Sequence, residues 1–252
     1  MFNAIWKLII LLGLCFSCPT LAQRVDGPYT KIIASLPFNA VHPLPGTERI
    51  FKCLSSKQDP LLIGAFHQTI FKVPFEKVIQ VYENYEAYTE FFSSFKKMKM
   101  LQGKPNFLIS VEGIVPYPFI PNSHYDLWYD SKPASSPNTA IYTCQLSKSK
   151  DLVSMDGLTM FKKISDQETS FTELDFISAH WGIAKTLSPK TIWKDTIRGL
   201  AVGDFELKMR LETPTKSAHD IRRDAQFSVS SDEIDHCIDQ KVDAQAMIDQ
   251  LH

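Results

Sequence analysis

Between residues 106 and 178 the chain spells out strand after strand and leaves no room for a helix. "NFLISVEGI", "SHYDLWYD", "TAIYTCQL", "LTMFKKIS" and "TSFTELDFIS" follow one another through short, turn-prone links. Parallel neighbours need a crossover of a dozen or more residues, usually a helix, whereas antiparallel neighbours need only a turn. This order predicts an antiparallel meander and an α+β chain, not a doubly wound parallel sheet.

The flanks complete the pattern. Upstream, "RIFKCL" and "LLIGAFHQTIFKV" read as two strands separated by "SSKQDP". Pro74 then opens a helix at its first turn, where a missing N–H is harmless. Val78, Tyr82, Tyr85 and Phe92 recur at helical spacing. After Pro189 a long helix is expected from Lys190 to about Leu211. Trp193, Ile197, Leu200, Leu207 and Leu211 share one face of it, and Asp204 falls inside that apolar stripe. In the tail, Ser230 and Glu233 form a capping-box signal before a short amphipathic helix carrying Ile234, Cys237, Ile238 and Val242.

The chain opens MFNAIWKLIILLGLCFSCPTLAQ: Lys7, an apolar run, then small residues ending at Ala22. That is the three-part layout of a secretory signal peptide. The run is too short to span a bilayer, which needs about 20 apolar residues. Four regions are therefore expected: a signal peptide over 1–22, an extended lead-in over 23–48, a domain over 49–211 and a tail over 212–252. The expected location is periplasmic in a Gram-negative source and secreted otherwise. The formal net charge is −1 and no basic cluster is dense, Lys96, Lys97 and Lys99 being a short solvated run, so no nucleic-acid partner is expected. Export permits disulfides. Pairing of Cys53 with Cys237 would tie the tail to the first strand region; three free thiols are the alternative.

The segment "VPFEKVIQVYENYEAYTEFFSSFKKMKML" (73–101) resembles the START-like (SRPBCC) superfamily, particularly its coenzyme Q-binding and polyketide-cyclase-like branches. A strand there ends in a proline-opened helix. An Asn/Asp-aromatic-Glu-x-Tyr-x-Glu-Phe run follows, matched here by Asn84, Tyr85, Glu86, Tyr88, Glu90 and Phe91. "EGIVPYPFIP" (112–121) resembles the family's Pro-aromatic-Pro segment. Thr89 departs from the usual proline, and the Arg-Asp pair that often follows the segment is absent. The resemblance covers about residues 49 to 211. It implies a helix-grip fold: a curved antiparallel sheet around a long C-terminal helix, with an internal cavity for lipids, quinones or polyketides.

Within that frame the candidate ligand-binding residues are Trp193, Ile197, Leu200, Asp204 and Leu207 on the helix. Phe119 and Ile120 on the proline-stiffened loop join them as an entrance that touches membranes transiently. Tyr125, Leu127 and Tyr129 are the inward set of their strand. Asp204 is set to meet a polar head group, to pair with a strand lysine or arginine, or to sit at the exposed margin, since a lone carboxylate on an apolar face costs several kcal/mol. The aromatic run at 85–95 reads first as core. No His-x-His or HExxH spacing, G-x-S-x-G, P-loop or dinucleotide motif occurs, so no catalytic residue, metal or cofactor is assigned. The leading reading is an exported carrier of a hydrophobic small molecule or lipid. The alternatives are a cyclase- or hydrolase-type enzyme on the same fold, and a protein-binding module with a filled cavity.

Overall fold

The structure is a computed structural model, and it describes residues 23–36, 49–57, 59, 61–115, 120–134, 136–179 and 187–251. The first strands are β1 (Ile50–Ser55) and β2 (Ile63–Phe71). Next come a helix (Phe75–Tyr82), a 3-10 turn (Tyr85–Ala87) and a one-turn helix (Tyr88–Phe91). The meander follows as β3 (Phe95–Gln102), β4 (Asn106–Gly113), β5 (Ser123–Lys132), β6 (Thr139–Ser149), β7 (Leu152–Ser165) and β8 (Glu168–Ala179). These strands form one sheet in the order β3-β4-β5-β6-β7-β8-β2-β1-β9, where β9 is the short strand Val242–Asp243. Every pairing is antiparallel except β1 with β9.

Counting helices in chain order, α1 is Thr30–Ser35, α2 is Phe75–Tyr82, α3 is Tyr88–Phe91 and α4 is Pro189–Glu212. The long helix α4 starts cleanly. Ser188 accepts from the Thr191 N–H at 3.1 Å, and Pro189 occupies the first helical position. Helices α5 (Ala218–Phe227), α6 (Ser231–Asp239) and α7 (Ala244–Asp249) follow. Ser230 caps α6 through the Glu233 N–H at 3.0 Å, as the capping-box spacing predicts. No helix among the described residues is long and apolar enough to cross a membrane.

Two expectations about the ends are corrected. The lead-in is not wholly extended, because α1 lies within it. The tail holds three helices and a strand where one helix was expected. Both ends belong to the fold. Tyr29 and Ile33 of the α1 region, with Met247 and Ile248 of α7, bury Phe66, Leu158, Leu174 and Phe176 on the outer face of the sheet. Tyr29 stacks on Phe176 with ring centroids 4.1 Å apart. The central strands are thus covered on both faces, which explains why nearly all of β2 is buried.

Residues 23–26 are held just as firmly. β6 and β7 part beyond the Gln145–Asp156 pair, and the Val25 N–H donates to the Leu146 carbonyl at 2.8 Å beside the gap. Arg24 clamps Asp130 with two bonds of 2.6 and 2.7 Å. β9 covers part of the β1 edge, while the other edge, β3, exposes Lys96, Lys97 and Lys99, a usual guard against edge-to-edge pairing.

Candidate functional site

The inner, concave face of the sheet looks toward α2, α3 and α4. Strand alternation decides what it carries. On β5, Tyr125, Leu127 and Tyr129 point inward and Trp128 points out beneath Arg24, the guanidinium lying 5.0 Å from the indole ring centre. Phe107, Ile109 and Val111 of β4 and Tyr142, Cys144 and Leu146 of β6 extend the same apolar floor.

The aromatic run at 85–95 closes one end of this floor. Tyr85, Tyr88, Phe91 and Phe92 are all buried in one cluster, with Tyr85 5.1 Å from the Tyr129 ring and 5.2 Å from the Phe107 ring. Polar ties lock the segment to the C-terminal helices. Arg222 of α5 donates to the Thr89 carbonyl at 2.6 Å and to the Glu90 carbonyl at 3.1 Å. Both carboxylate oxygens of Glu206, on α4, accept from the Ser93 N–H at 3.0 Å. Burial pushes Glu206 up to about 7, opposed by the Ser93 hydrogen bonds and the Arg222 charge.

The helix residues expected to bind together are divided between two places. Trp193 and Ile197 pack with Cys53, Ile63 and Ala65 and with the tail's Ala225, Val229 and Ile234; half-buried Leu200 joins that cluster. The Lys241 ammonium caps the Trp193 ring at 4.5 Å. Leu207 instead belongs with Tyr125, Leu127 and Tyr129. The split arises because the tail helices fill the space around the first half of α4. Cys53 and Cys237 form a disulfide there, with Cα atoms 5.3 Å apart, and Cys144 is a buried free thiol. Ile120 is half-buried, and Phe119 lies outside the described residues.

Asp204 is 7 % exposed and pairs with no lysine or arginine among the described residues. Its Oδ2 lies 2.7 Å from Nδ1 of His67, a residue the sequence reading passed over. His67 is 3 % exposed, and neither ring nitrogen is aligned for a hydrogen bond, so the two side chains meet closely without hydrogen-bond geometry. The Phe171 ring flanks it at 5.4 Å.

Across the sheet, His67 of β2 is the register partner of Glu173 of β8, and Glu173 in turn faces Thr159 of β7. The Tyr82 hydroxyl donates to the Thr159 hydroxyl at 3.1 Å, and that hydroxyl donates to Glu173 at 3.2 Å. One row further along β8 lies Asp175. Burial, then the charges of Asp175 and Asp204, hold Glu173 well above the carboxylate range, with the Thr159 hydrogen bond acting the other way. Burial and Asp204 raise Asp175 to about 7. Sequence alternation places Glu173 and Asp175 on one face with Phe171 and Ile177. The ordinary rule would have turned the charged pair to solvent, which is why the sequence reading missed it.

A cleft of about 200 Å³ lies on the opposite side of the sheet under α1, lined by Arg24, Asp130, Gln145 and Asp156 among others. Most of its polar groups are matched to one another. Arg24 binds Asp130, Gln145 donates to Asp26 at 3.0 Å, and Thr30 binds Asp156. The concave face, where Asp175 has no hydrogen bond or ion pair among the described residues, is the better candidate. Among the described residues no group of three His, Cys, Asp or Glu side chains is arranged to hold a metal ion.

No family model and no curated protein sequence matches the chain. Solved structures do. The aromatase/cyclase ZhuI from Streptomyces sp. R1128 superposes with a TM-score of 0.50 at 15% identity, covering 62% of this chain and 98% of that one. A protein from Thermus thermophilus gives 0.51 at 10% identity over 61% and 99%. The fold is START-like. A STAR-related lipid transfer protein from Xanthomonas axonopodis is also matched, with a TM-score of 0.48 at 11% identity over 73% and 97%. The START-like helix grip accounts for the sheet and α4, while the first of these matches leaves over a third of the chain unmatched.

Proposed function

We propose that the chain binds a hydrophobic small molecule or lipid between the concave face and α4. One observation carries this reading. Tyr125 and Tyr129 point inward from β5 yet stay half-buried, where their inward neighbours Leu127, Ile109 and Leu146 are buried. Accessible surface on an inward face fits room between the sheet and the helices above it. The floor between these rings and β2 is low: Tyr129, Cys144, Gly157, Asp175 and Ala65 are successive register partners across five strands. The nearest atoms to a Cβ built at Gly157 belong to sheet neighbours and not to the helix above. A mostly apolar, concave lining with a few polar groups is what small-molecule sites present.

The named functions of the structural neighbours, an aromatase/cyclase and a lipid transfer protein, are compatible with such a ligand. Export belongs to the same reading. It is supported by the leader-like start and by the Cys53–Cys237 disulfide, a bond that persists in oxidising compartments. Ile120 and Phe119 are proposed to border the entrance and to meet membranes during exchange. Native mass spectrometry of protein from the exported fraction, followed by organic extraction, tests the proposal. A co-purifying lipid, or stoichiometric uptake of a fluorescent acyl probe after delipidation, is expected. Folded protein that carries and takes up neither would overturn it.

The His67–Asp204 contact, beside the raised carboxyls of Glu173 and Asp175, favours a second reading, an enzyme using buried acid–base groups, because such clusters are where that chemistry concentrates. Product formation from a bound polyketide-like substrate that is lost in His67→Gln but retained in a distal variant would move the balance to it.

A further inference from the structure

Asp175 is the polar group that this lining leaves unanswered. It stands in the middle of the low row, between Ala65 of β2 and Gly157 of β7. It is 9 % exposed, and its carboxyl takes part in no hydrogen bond and no ion pair among the described residues. Facing it are Glu173 from its own strand, His67 from β2, Cys144 from β6 and Asp204 from α4. Three carboxyls therefore meet one imidazole. No arginine or lysine among the described residues pairs with any of the three. Neither His67 ring nitrogen makes a hydrogen bond, although Nδ1 lies 2.7 Å from Asp204, so the imidazole beside Asp175 keeps unused hydrogen-bonding capacity.

A buried carboxyl without a partner is retained at a cost of several kcal/mol unless something supplies charge or hydrogen bonds. Two kinds of ligand head are poor answers. A carboxylate would add a fourth acid to the cluster, and like charges in a low dielectric disfavour one another strongly. A hydroxyl would donate one hydrogen bond but brings no charge to hold these carboxyls in their ionised form. A cation answers the whole cluster, and the electron-rich faces of nearby Tyr82, Tyr129 and Phe171 suit it as well.

Resting on the ligand-binding reading above, we propose that the preferred ligand is an amphiphile with a cationic amine head, held by Asp175 as counter-ion with Glu173 and Asp204 beside it. Its apolar chain lies along Tyr125 and Tyr129, the inward residues of β5 that keep accessible surface. On entry the ammonium takes the place of one proton that burial and the neighbouring acids keep on the Glu173–Asp175 pair.

The experiment compares three probes of one chain length, decylamine, decanol and decanoate, by displacement of a fluorescent acyl probe from the full-length delipidated protein at pH 7.5. Decylamine is expected to bind at least about tenfold tighter than decanol, with decanoate weakest; tenfold is about 1.4 kcal/mol, modest for a partly dehydrated charge pair. In Asp175→Asn, which is isosteric and removes buried charge, the amine preference should fall by about tenfold or more while decanol binding stays. Glu173→Gln should lower it less and serves if the first variant does not fold. Equal binding of amine and alcohol, or an amine preference unchanged in both variants, overturns the proposal while leaving a general hydrophobic site standing. If no probe of any head group binds to folded protein, the ligand-binding reading fails together with it.

Discussion

Glu206 offers the most direct test of how this interior handles charge. It is 0 % exposed, lies away from the proposed site, and is held to Ser93 by two contacts of 3.0 Å. Its carboxyl rises from an ordinary value of 4.5 to about 7, chiefly through burial. Below about pH 4.5 both folded and unfolded chains hold the proton, so the group is neutral to stability. Between 4.5 and 7 the unfolded chain ionises first, and stability falls with rising pH. Above 7 the loss is complete. At about 1.4 kcal/mol per tenfold change in proton affinity, the gap amounts to about 3 kcal/mol. Glu206→Gln keeps an acceptor for the Ser93 N–H and removes the ionisation. Urea unfolding of both proteins at pH 4.5, 6 and 8 is the assay. The glutamine variant is expected to match the parent at pH 4.5 and to exceed it by about 2–3 kcal/mol at pH 8, with an unchanged m value. Asp175 and Glu173 tilt both profiles in the same sense, so the difference between the proteins isolates Glu206. A variant no more stable than the parent at pH 8 would refute the reasoning, because the charge would then be compensated by Arg222 and Ser93.

Other outcomes follow from the same geometry. The Cys53→Ser/Cys237→Ser pair should lose up to about 5 kcal/mol, since the bond joins residues 184 positions apart; non-reducing peptide mapping must first recover that bridge, and three alkylatable thiols would dismiss it. Tyr85 carries a buried hydroxyl with no hydrogen bond, so Tyr85→Phe should leave stability equal or raise it by about 1 kcal/mol. A clear loss on thermal unfolding would mean that the hydroxyl is satisfied. Arg222→Met keeps the aliphatic stem but removes the charged donors to the Thr89 and Glu90 carbonyls. A loss of about 2–3 kcal/mol is expected, and a double-mutant cycle with Glu206→Gln should show coupling because Arg222 lowers the Glu206 proton affinity. Additivity would place the two residues in separate environments.

Much of the frame was legible in the residues themselves. Five strand runs with no helix between them can only pair antiparallel at such link lengths, and the observed ladder from β4 to β8 is that meander. Period-2 alternation placed Tyr125, Leu127 and Tyr129 inward, and 3.6-residue spacing placed α4 after Pro189. These are local signals: each depends on residues within one or two turns, so sequence order carries them.

What escaped depends on partners distant in the chain. Glu173 and Asp175 alternate with Leu174 and Phe176, and the pattern cannot say which set meets solvent when both faces of the strand are covered. Only α1 and α7, packed on the outer face, decide that neither does. A polar His-Gln-Thr step inside the otherwise apolar run of β2 was the one local trace of the site, and without the register of β8 it had no partner to name. Asp204 was conspicuous from its own helix, yet its contact with His67 spans 137 positions (204 − 67) and is made by packing alone. The sequence by itself determined the strands, the long helix and the inward faces, because backbone geometry imposes those periods on neighbouring residues. Which buried charges meet was decided only by tertiary structure, because electrostatics acts through space and not along the chain.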